Sequence, residues 1–339
     1  MCHKQTFWPL FDMIDGSSSR GIAMKLPRRK FLHLAMGDDT ALALGYPARP
    51  VHIIVGFAPA SGPDIVARLV GQRLSERLGQ QFVVEDRPGA GGSIATQTVV
   101  NSPADGYTLL LATSANAINA TLYPNLNFNF VRDVVPIASI SRVSFVMVVN
   151  LAVPARAIPE FVAYAKANPH KINMASAGIG TTTQLCYELF KMMTSLDLVH
   201  VPYRSSYLHD LIGGQVQGAF STVPQAIEYV RDDKLRALAV TSTARVDVLP
   251  DVPAMGEFVP GYEAEGLFGI VAPKATPAEI IDKLNKEINA VVADPKTKAQ
   301  LVDLGVPPLS MTPAEFGKLI ADQTEKWAKV IKFADIKPE

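Results

Sequence analysis

Short hydroxyl side chains recur in this chain where an apolar segment gives way to a helical pattern. Ser61, Ser114, Ser176 and the run Thr181 to Thr183 each lie in such a stretch of small residues. These side chains are donors without bulk. Set beside the unpaired N–H groups of a helix start, they form a seat for a carboxylate or phosphate that needs no lysine. The plainer role of each one alone is to cap a helix. Two such helix starts facing each other across a cleft would instead clamp a small acid at its two ends, and the pairing of the loops favours binding.

Catalytic and metal chemistry find less support. Of six histidines, His3 and His33 lie near the N-terminus, His52 opens a strand and His170 follows Pro169 in a loop. His200 sits within a strand, the usual place of a satisfied core histidine, and His209 neighbours Asp210 on a helix. There is no HExxH, no CxxC and no His/Cys/carboxylate cluster at metal-ligand spacing, so no metal site is expected. A GxSxG elbow and a Walker loop are also missing. Gly89-Ala-Gly-Gly92 lacks the GxGxxG spacing of a dinucleotide loop, and no cofactor is expected. Cys186 follows the threonine run, where a helix start can lower a thiol pKa, but a buried structural thiol is the preferred reading.

The elements that must position the hydroxyls are legible from apolar periodicity. Val51 to Val55 reads as a buried strand, Gly56 to Pro63 as a small-residue loop, and Asp64 as the start of a helix with Ile65, Leu69, Leu74 and Leu78 on its apolar face. Gln81 to Glu85 is a second strand, followed by the glycine-rich loop Asp86 to Ser93 and a helix from Ile94. Tyr107 to Ala112 is a third strand, ending at Thr113-Ser114-Ala115-Asn116. Val143 to Asn150 reads as one further strand. A second unit of the first kind follows: strand Ile172 to Ala175, loop Ser176 to Thr183, helix Gln184 to Phe190. Strands at Leu198 to Val201, Gly218 to Phe220, Leu235 to Thr241 and Leu267 to Ala272, and helices from Pro224, Pro277 and Thr312, complete the pattern. Alternating strands and helices predict parallel sheets, whose ligand crevice lies at the carboxyl ends of the strands. The two hydroxyl loops are about 115 residues apart, so each is assigned to its own α/β domain.

Composition bounds the function. The chain has 339 residues, enough for about two domains, and is 48% hydrophobic and 19% charged. Its 32 basic and 32 acidic residues balance to zero net charge, so no global basic field argues for nucleic acid or an anionic membrane. Cys2 and Cys186 are the two cysteines, so the folded body is expected to hold no disulfide, which fits either the cytosol or the periplasm. Residues 1–45 are expected to be a leader outside the fold. Met24-Lys-Leu-Pro-Arg-Arg-Lys-Phe-Leu32 places basic residues before an apolar run, like an export signal of the twin-arginine type with Met24 as its start, although Asp38 and Asp39 interrupt the apolar part.

From about Tyr46 to the end, the sequence resembles the substrate-binding proteins of tripartite tricarboxylate transporters, the Bug family of periplasmic receptors. The resemblance rests on Arg49-Pro-Val-His-Ile-Ile-Val-Gly-Phe57, Val83-Val-Glu-Asp-Arg-Pro-Gly-Ala-Gly-Gly92, Ala104-Asp-Gly-Tyr-Thr-Leu-Leu110, Ser176-Ala-Gly-Ile-Gly-Thr181 and His200-Val-Pro-Tyr203. It implies an α/β, two-domain periplasmic-binding-protein fold of the Venus-flytrap type, each domain a mainly parallel sheet flanked by helices. One domain would be 46–148 with 267–339, and the other the insert 149–266. It implies a periplasmic receptor, not an enzyme, that takes a small carboxylic acid without a cofactor, acts as a monomer, and meets the membrane permease subunits of such a transporter. The family's ligand loops map onto Phe57, Pro59, Ser61 and Gly62; Ser114 and Asn116; Ser176, Ala177, Gly180, Thr181 and Thr182; and Ser221.

Several positions depart from the family pattern. Ala60, Ser61 and Pro63 stand in the first loop where glycine and small residues are usual, and the segment Arg204 to His209 is short. Ile179 and Leu267 replace an asparagine and a tryptophan, which points to a more apolar ligand such as an aromatic acid. Ser221 stands where members that bind amino acids carry Asp, which argues against an α-ammonium group. A sensor that presents its closed form to a signalling partner, an enzyme acting on a carboxylic acid, and a homologue that no longer binds remain alternatives on sequence.

Overall fold

The computed structural model describes residues 45–123, 125–333 and 336–337. The expected leader, its export signal and the start at Met24 lie outside these residues.

The first strand, β1 (Val51–Val55), is buried at every residue except His52, as a β-branched run in the middle of a sheet requires. It leads through a small-residue loop into α1 (Gly62–Leu78), which starts two residues earlier than the apolar pattern implied because Pro63 fits the first turn of a helix. Then come β2 (Phe82–Asp86), α2 (Ser93–Val100), β3 (Thr108–Thr113) and α3 (Ser114–Leu122). The chain continues through β4 (Val134–Val143) straight into β5 (Phe145–Val149), with Ser144 alone between them. The stretch expected to be one strand from Val143 is therefore the junction of two.

The second half repeats the first in order: α4 (Ile158–Ala167), β6 (Asn173–Ser176), α5 (Thr182–Thr194), β7 (Val199–Pro202), β8 (Gly218–Thr222), α6 (Val223–Arg231) and β9 (Arg236–Val240). After a long connection, β10 (Gly266–Pro273), α7 (Ala278–Ala293), α8 (Pro295–Asp303) and α9 (Pro313–Phe333) end the described fold.

The strands form two sheets with orders β2-β1-β3-β10-β4 and β7-β6-β8-β5-β9. In each, the first three strands are parallel, β1 between β2 and β3, and β6 between β7 and β8. The fourth strand of each order, β10 or β5, runs against both its neighbours, so each sheet is mixed but keeps four of its five strands in one direction, mainly parallel as expected. The physical reason is the chain path. β4 and β5 carry the chain out of one sheet and into the other, and β10 brings it back. Sheet membership also puts 145–148, assigned above to the first domain, in the second sheet, so the chain crosses at Ser144.

The two crossings are tied together at Thr241. Its Oγ1 accepts from the Phe145 N–H at 2.9 Å, its N–H donates to the Phe145 carbonyl at 2.8 Å, and its carbonyl accepts from Ala264 at 3.0 Å. α9 packs on β4 and α3, and its Trp327 is fully buried. Thr312 caps α9 as its sequence implied, its Oγ1 accepting from the Glu315 N–H.

Candidate ligand-binding site

The order 2-1-3 sends the helices after the central strands outward from one sheet edge, the place where α/β sheets bind ligands. Because both sheets share this order, four helices begin at that edge: α1 after β1, α3 after β3, α5 after β6 and α6 after β8. Their N-cap residues are Ser61, Thr113, Thr181 and Thr222, and all four line one small chamber of about 40 Å³. The sequence implied two opposed helix starts; the structure brings together four.

The four caps are not equivalent. Thr113 and Thr181 are engaged locally. Thr113 Oγ1 accepts from the Ala115 N–H at 3.2 Å, while Asn116 Oδ1 accepts from the Thr113 N–H at 2.7 Å. Thr181 Oγ1 donates to the Gly178 carbonyl at 2.6 Å, and Thr183 Oγ1 accepts from Ala177 N–H at 3.0 Å. Ser61 and Thr222, in contrast, make no capping bond, and their hydroxyl oxygens are buried without a hydrogen-bond partner. They are 8% and 6% exposed. Buried polar groups are nearly always satisfied, so two hydroxyls at one chamber with unused bonding capacity are unusual.

No charged side chain lines the chamber. Its positive potential comes from helix starts: free N–H groups and the aligned peptide dipoles, each equivalent to roughly half a charge. The remaining wall includes Phe57, Phe145 and Phe268, which keep the dielectric low. The volume is that of about one water or one carboxylate group.

The chamber adjoins an outer cavity of about 620 Å³, with Phe57, Ser61, Ala177 and Gln225 lining both. The glycine-rich loop supplies Gly89 and Gly91, and the other side supplies Ile179, Tyr203, Arg204 and Tyr207. The two sides approach closely. A Cβ on Gly62 would lie 2.2 Å from Thr222 Oγ1, and one on Gly91 would lie 2.7 Å from the Ile179 carbonyl.

Of the residues singled out by sequence, Phe57, Ser61, Ala177, Thr181 and Thr182 line these cavities. Pro59 is exposed on the first loop. Gly62 stands at the close approach just described. Ser114, 1% exposed, accepts from the Leu267 N–H through its Oγ. Asn116 completes the Thr113 cap and donates to Thr96. Gly180 donates to Gln184 Oε1 at φ 74°, a left-handed conformation that glycine supplies. Ser176 is fully buried beneath its loop and 2.7 Å from His200 Nε2. Ser221 does not itself line the chamber; its Oγ donates to Oε1 of Gln225, which does, while the next residue, Thr222, lines it directly. Leu267 is buried in the core and lines neither cavity, so of the two apolar departures Ile179 alone bears on a ligand.

Sequence reasoning missed Thr222, Gln225 and Arg204. Thr222 was signalled by Pro224: proline in the first helical turn places the N-cap just ahead of it. Gln225 and Arg204 carry no such signal.

His200 stacks on Tyr187 at 5.3 Å, and burial, helped by Lys191, lowers its pKa to about 4, so it is neutral at physiological pH. Cys186 is fully buried and burial pushes its thiol far up, which makes it structural. Behind α1, Arg68 pairs with both Asp64 at 2.6 Å and Asp86 at 2.8 Å, and burial together with Asp64 raises the Asp86 pKa. Asp64 Oδ2 accepts from the Ala60 N–H at 2.7 Å, which ties down the loop that presents Ser61.

Comparison with known proteins decides the family. Residues 66–336 match the model of the tripartite tricarboxylate transporter family receptor. The chain belongs to this receptor family. Protein BugT of Bordetella pertussis is 35% identical over 292 residues, covering 85% of this chain and 90% of that protein. The periplasmic binding protein BugD has a solved structure with a TM-score of 0.84 and 33% identity, covering 87% of this chain and all of that one. An R. palustris protein solved with adipate also superposes with a TM-score of 0.84, at 32% identity and the same 87% coverage of this chain. The α/β Venus-flytrap architecture implied by the resemblance is thus shown, and the family is one of solute-binding receptors. Among the described residues, no helix is long and apolar enough to cross a membrane.

Proposed function

We propose that the chain is an extracytoplasmic solute-binding receptor that captures a small organic acid, aromatic acids included, and delivers it to a permease of the tripartite tricarboxylate type. The observation that carries this reading is the neutral chamber formed by four helix N-caps, two of which hold unpartnered hydroxyls. A carboxylate suits it: each oxygen can accept from a hydroxyl and from backbone N–H groups, and the charge is met by helix dipoles. The adipate bound by the R. palustris relative supports the same ligand class. An amino acid fits poorly, because no carboxylate lines either cavity to receive an ammonium group.

In this reading the two sheets are the cores of two lobes, 46–143 with 266–339 and 145–265. They close around the acid by bending at Ser144 and the segment after Thr241, and the closed form is what the permease meets. The protein performs no chemistry. Ser176 and His200 form the nearest thing to a nucleophile and base, and Ser176 is fully buried, out of a ligand's reach. A role in the periplasm requires export of the chain, and the receptor acts as a monomer.

A thermal-shift screen of the full chain against mono-, di- and aromatic carboxylates tests the proposal. A ligand at 100 times its Kd stabilises by about 2.7 kcal/mol, worth roughly 5 °C in Tm for a chain of this size. A carboxylate hit is expected. A folded protein that responds to no carboxylate, or turnover of the bound acid, would sink the reading.

A further inference from the structure

A separate cavity of about 250 Å³ lies at the crossing between the sheets, and the capture of an acid makes no use of it. Its walls come from both halves of the fold. One wall is the segment after β9, Ser242 to Val248. The other is the turn after α8, with Val302, Gly305 and Pro307. That turn is anchored to the first sheet, where the Leu309 N–H donates to the Ile140 carbonyl at 2.8 Å. Gly305, at φ 71°, lets it come close to the second: a Cβ there would lie 2.5 Å from Val223 and 2.9 Å from Val248.

Ser144 and Glu265 join the two walls. Val143 pairs with Gly266 between β4 and β10, so Ser144 and Glu265 are the next two residues facing each other across that pair. Successive residues of an extended chain point to opposite faces. Phe145 accordingly lines the inner ligand chamber, and Ser144 lines this cavity behind it.

Both residues have unused bonding capacity. Ser144 is 5% exposed, and among the described residues its hydroxyl makes no hydrogen bond. The nearest cation to the Glu265 carboxylate is Arg142, 3.9 Å away and beyond hydrogen-bond reach. Burial raises the Glu265 pKa, and Arg142 offsets this only in part. Arg245 also lines the cavity, but Glu257 holds it through two hydrogen bonds, at 2.9 and 3.1 Å. Asp247 adds a second negative charge to the lining.

We propose that this cavity is a second binding site, and that it takes a small primary alkylammonium ion. The ammonium group meets the Glu265 carboxylate and the Ser144 hydroxyl, and the alkyl chain lies against Val246, Val248, Val302 and Pro307. An ammonium carries three donors, enough for both oxygen partners. The cavity is smaller than the roughly 300–1,000 Å³ usual for drug-sized ligands, which limits the ion to a few heavy atoms. A metal ion suits it less, because no group of three metal-ligating side chains gathers among the described residues.

An occupant touches both halves of the fold, so the melting temperature of the full chain reads its binding. The probe is butylammonium chloride at about 20 mM, against potassium chloride and 1-butanol at the same concentration. The ammonium alone is expected to raise Tm, by about 2 °C. Glu265→Gln removes a partly buried charge at constant size. It is expected to keep the ligand-free Tm and abolish the rise. Ser144→Ala is expected to raise the half-saturating concentration roughly threefold. Glu263→Gln, which alters a neighbouring acid paired with Lys326, is expected to leave the response unchanged. No rise, a rise shared by butanol or potassium, or a rise that survives Glu265→Gln would overturn the proposal. The carboxylate reading is probed with acids and stands or falls separately.

Discussion

Ser61 and Thr222 occupy helix-capping positions and cap nothing. A hydroxyl at such a position usually serves its own helix, so leaving two of them unsatisfied costs stability that a bound acid can return. Ser61→Ala and Thr222→Val are therefore expected to weaken carboxylate binding by about tenfold each while leaving the ligand-free Tm unchanged or slightly raised. Calorimetry and a melting curve check the two halves separately; a loss of Tm with unchanged Kd would show that the hydroxyls are structural. His200 gives a pH prediction of definite sign. Its folded-state pKa, about 4, lies below the ordinary 6.5, so the unfolded chain takes up the proton first as pH falls. Its contribution is complete above pH 6.5 and is lost as pH drops towards 4. By pH 5 the loss is about 2 kcal/mol. His200→Gln should flatten that part of the stability curve, as chemical denaturation at pH 7 and pH 5 would reveal.

At the scale of elements, the site depends on how closely helix starts approach. Gly62 opens α1 against Thr222, which caps α6, at a distance where a Cβ would overlap the hydroxyl. The two residues belong to different sheets, so under the lobe closure proposed above the clash would exist in the closed form and be relieved by opening. Gly62→Ala is thus expected to leave the ligand-free protein folded, weaken binding more than tenfold, and abolish the fall in radius of gyration that ligand causes in small-angle scattering. Unchanged affinity in this variant would mean that the two sheets do not part. The helix starts at α1 and α5 were legible in sequence, because a strand, a small-residue loop and an apolar helical face read in order. Ser114 and Asn116 at α3, and Ser221 just before α6, were assigned to ligand loops as well, but the caps of those two helices, Thr113 and Thr222, were not. The residues that open them, Ser114 and Val223, follow their strands with no loop between, and nothing local tells that β3 and β8 end beside β1 and β6.

For the whole molecule, the two crossings between sheets meet at Thr241, whose Oγ1 satisfies the buried N–H of Phe145. Thr241→Val keeps the shape and removes that acceptor. A loss of about 1–3 kcal/mol in denaturant unfolding is expected, the cost of an unpaired buried donor; no loss would show that the crossing finds another acceptor. The receptor role also requires passage across a membrane, so a reporter joined to residues 24–50 should be exported, and a reporter retained in the cytoplasm would remove the permease from the account. The sequence by itself determined the α/β class, the family and which loops carry small hydroxyl residues, because strand and helix periodicity and loop composition are local properties. The tertiary structure alone decided that one strand of each sheet runs against the rest, that the chain crosses at Ser144, that Ser114 bonds the Leu267 N–H and Ser221 bonds Gln225 while Ser61 and Thr222 stay unsatisfied, and that Arg204 lines the outer cavity. Each of these depends on which distant backbone atom or side chain lies within about 3 Å, and a one-residue step along a strand turns a side chain from the cavity to the core. Thr222 lines the chamber and Ser221 does not for that reason.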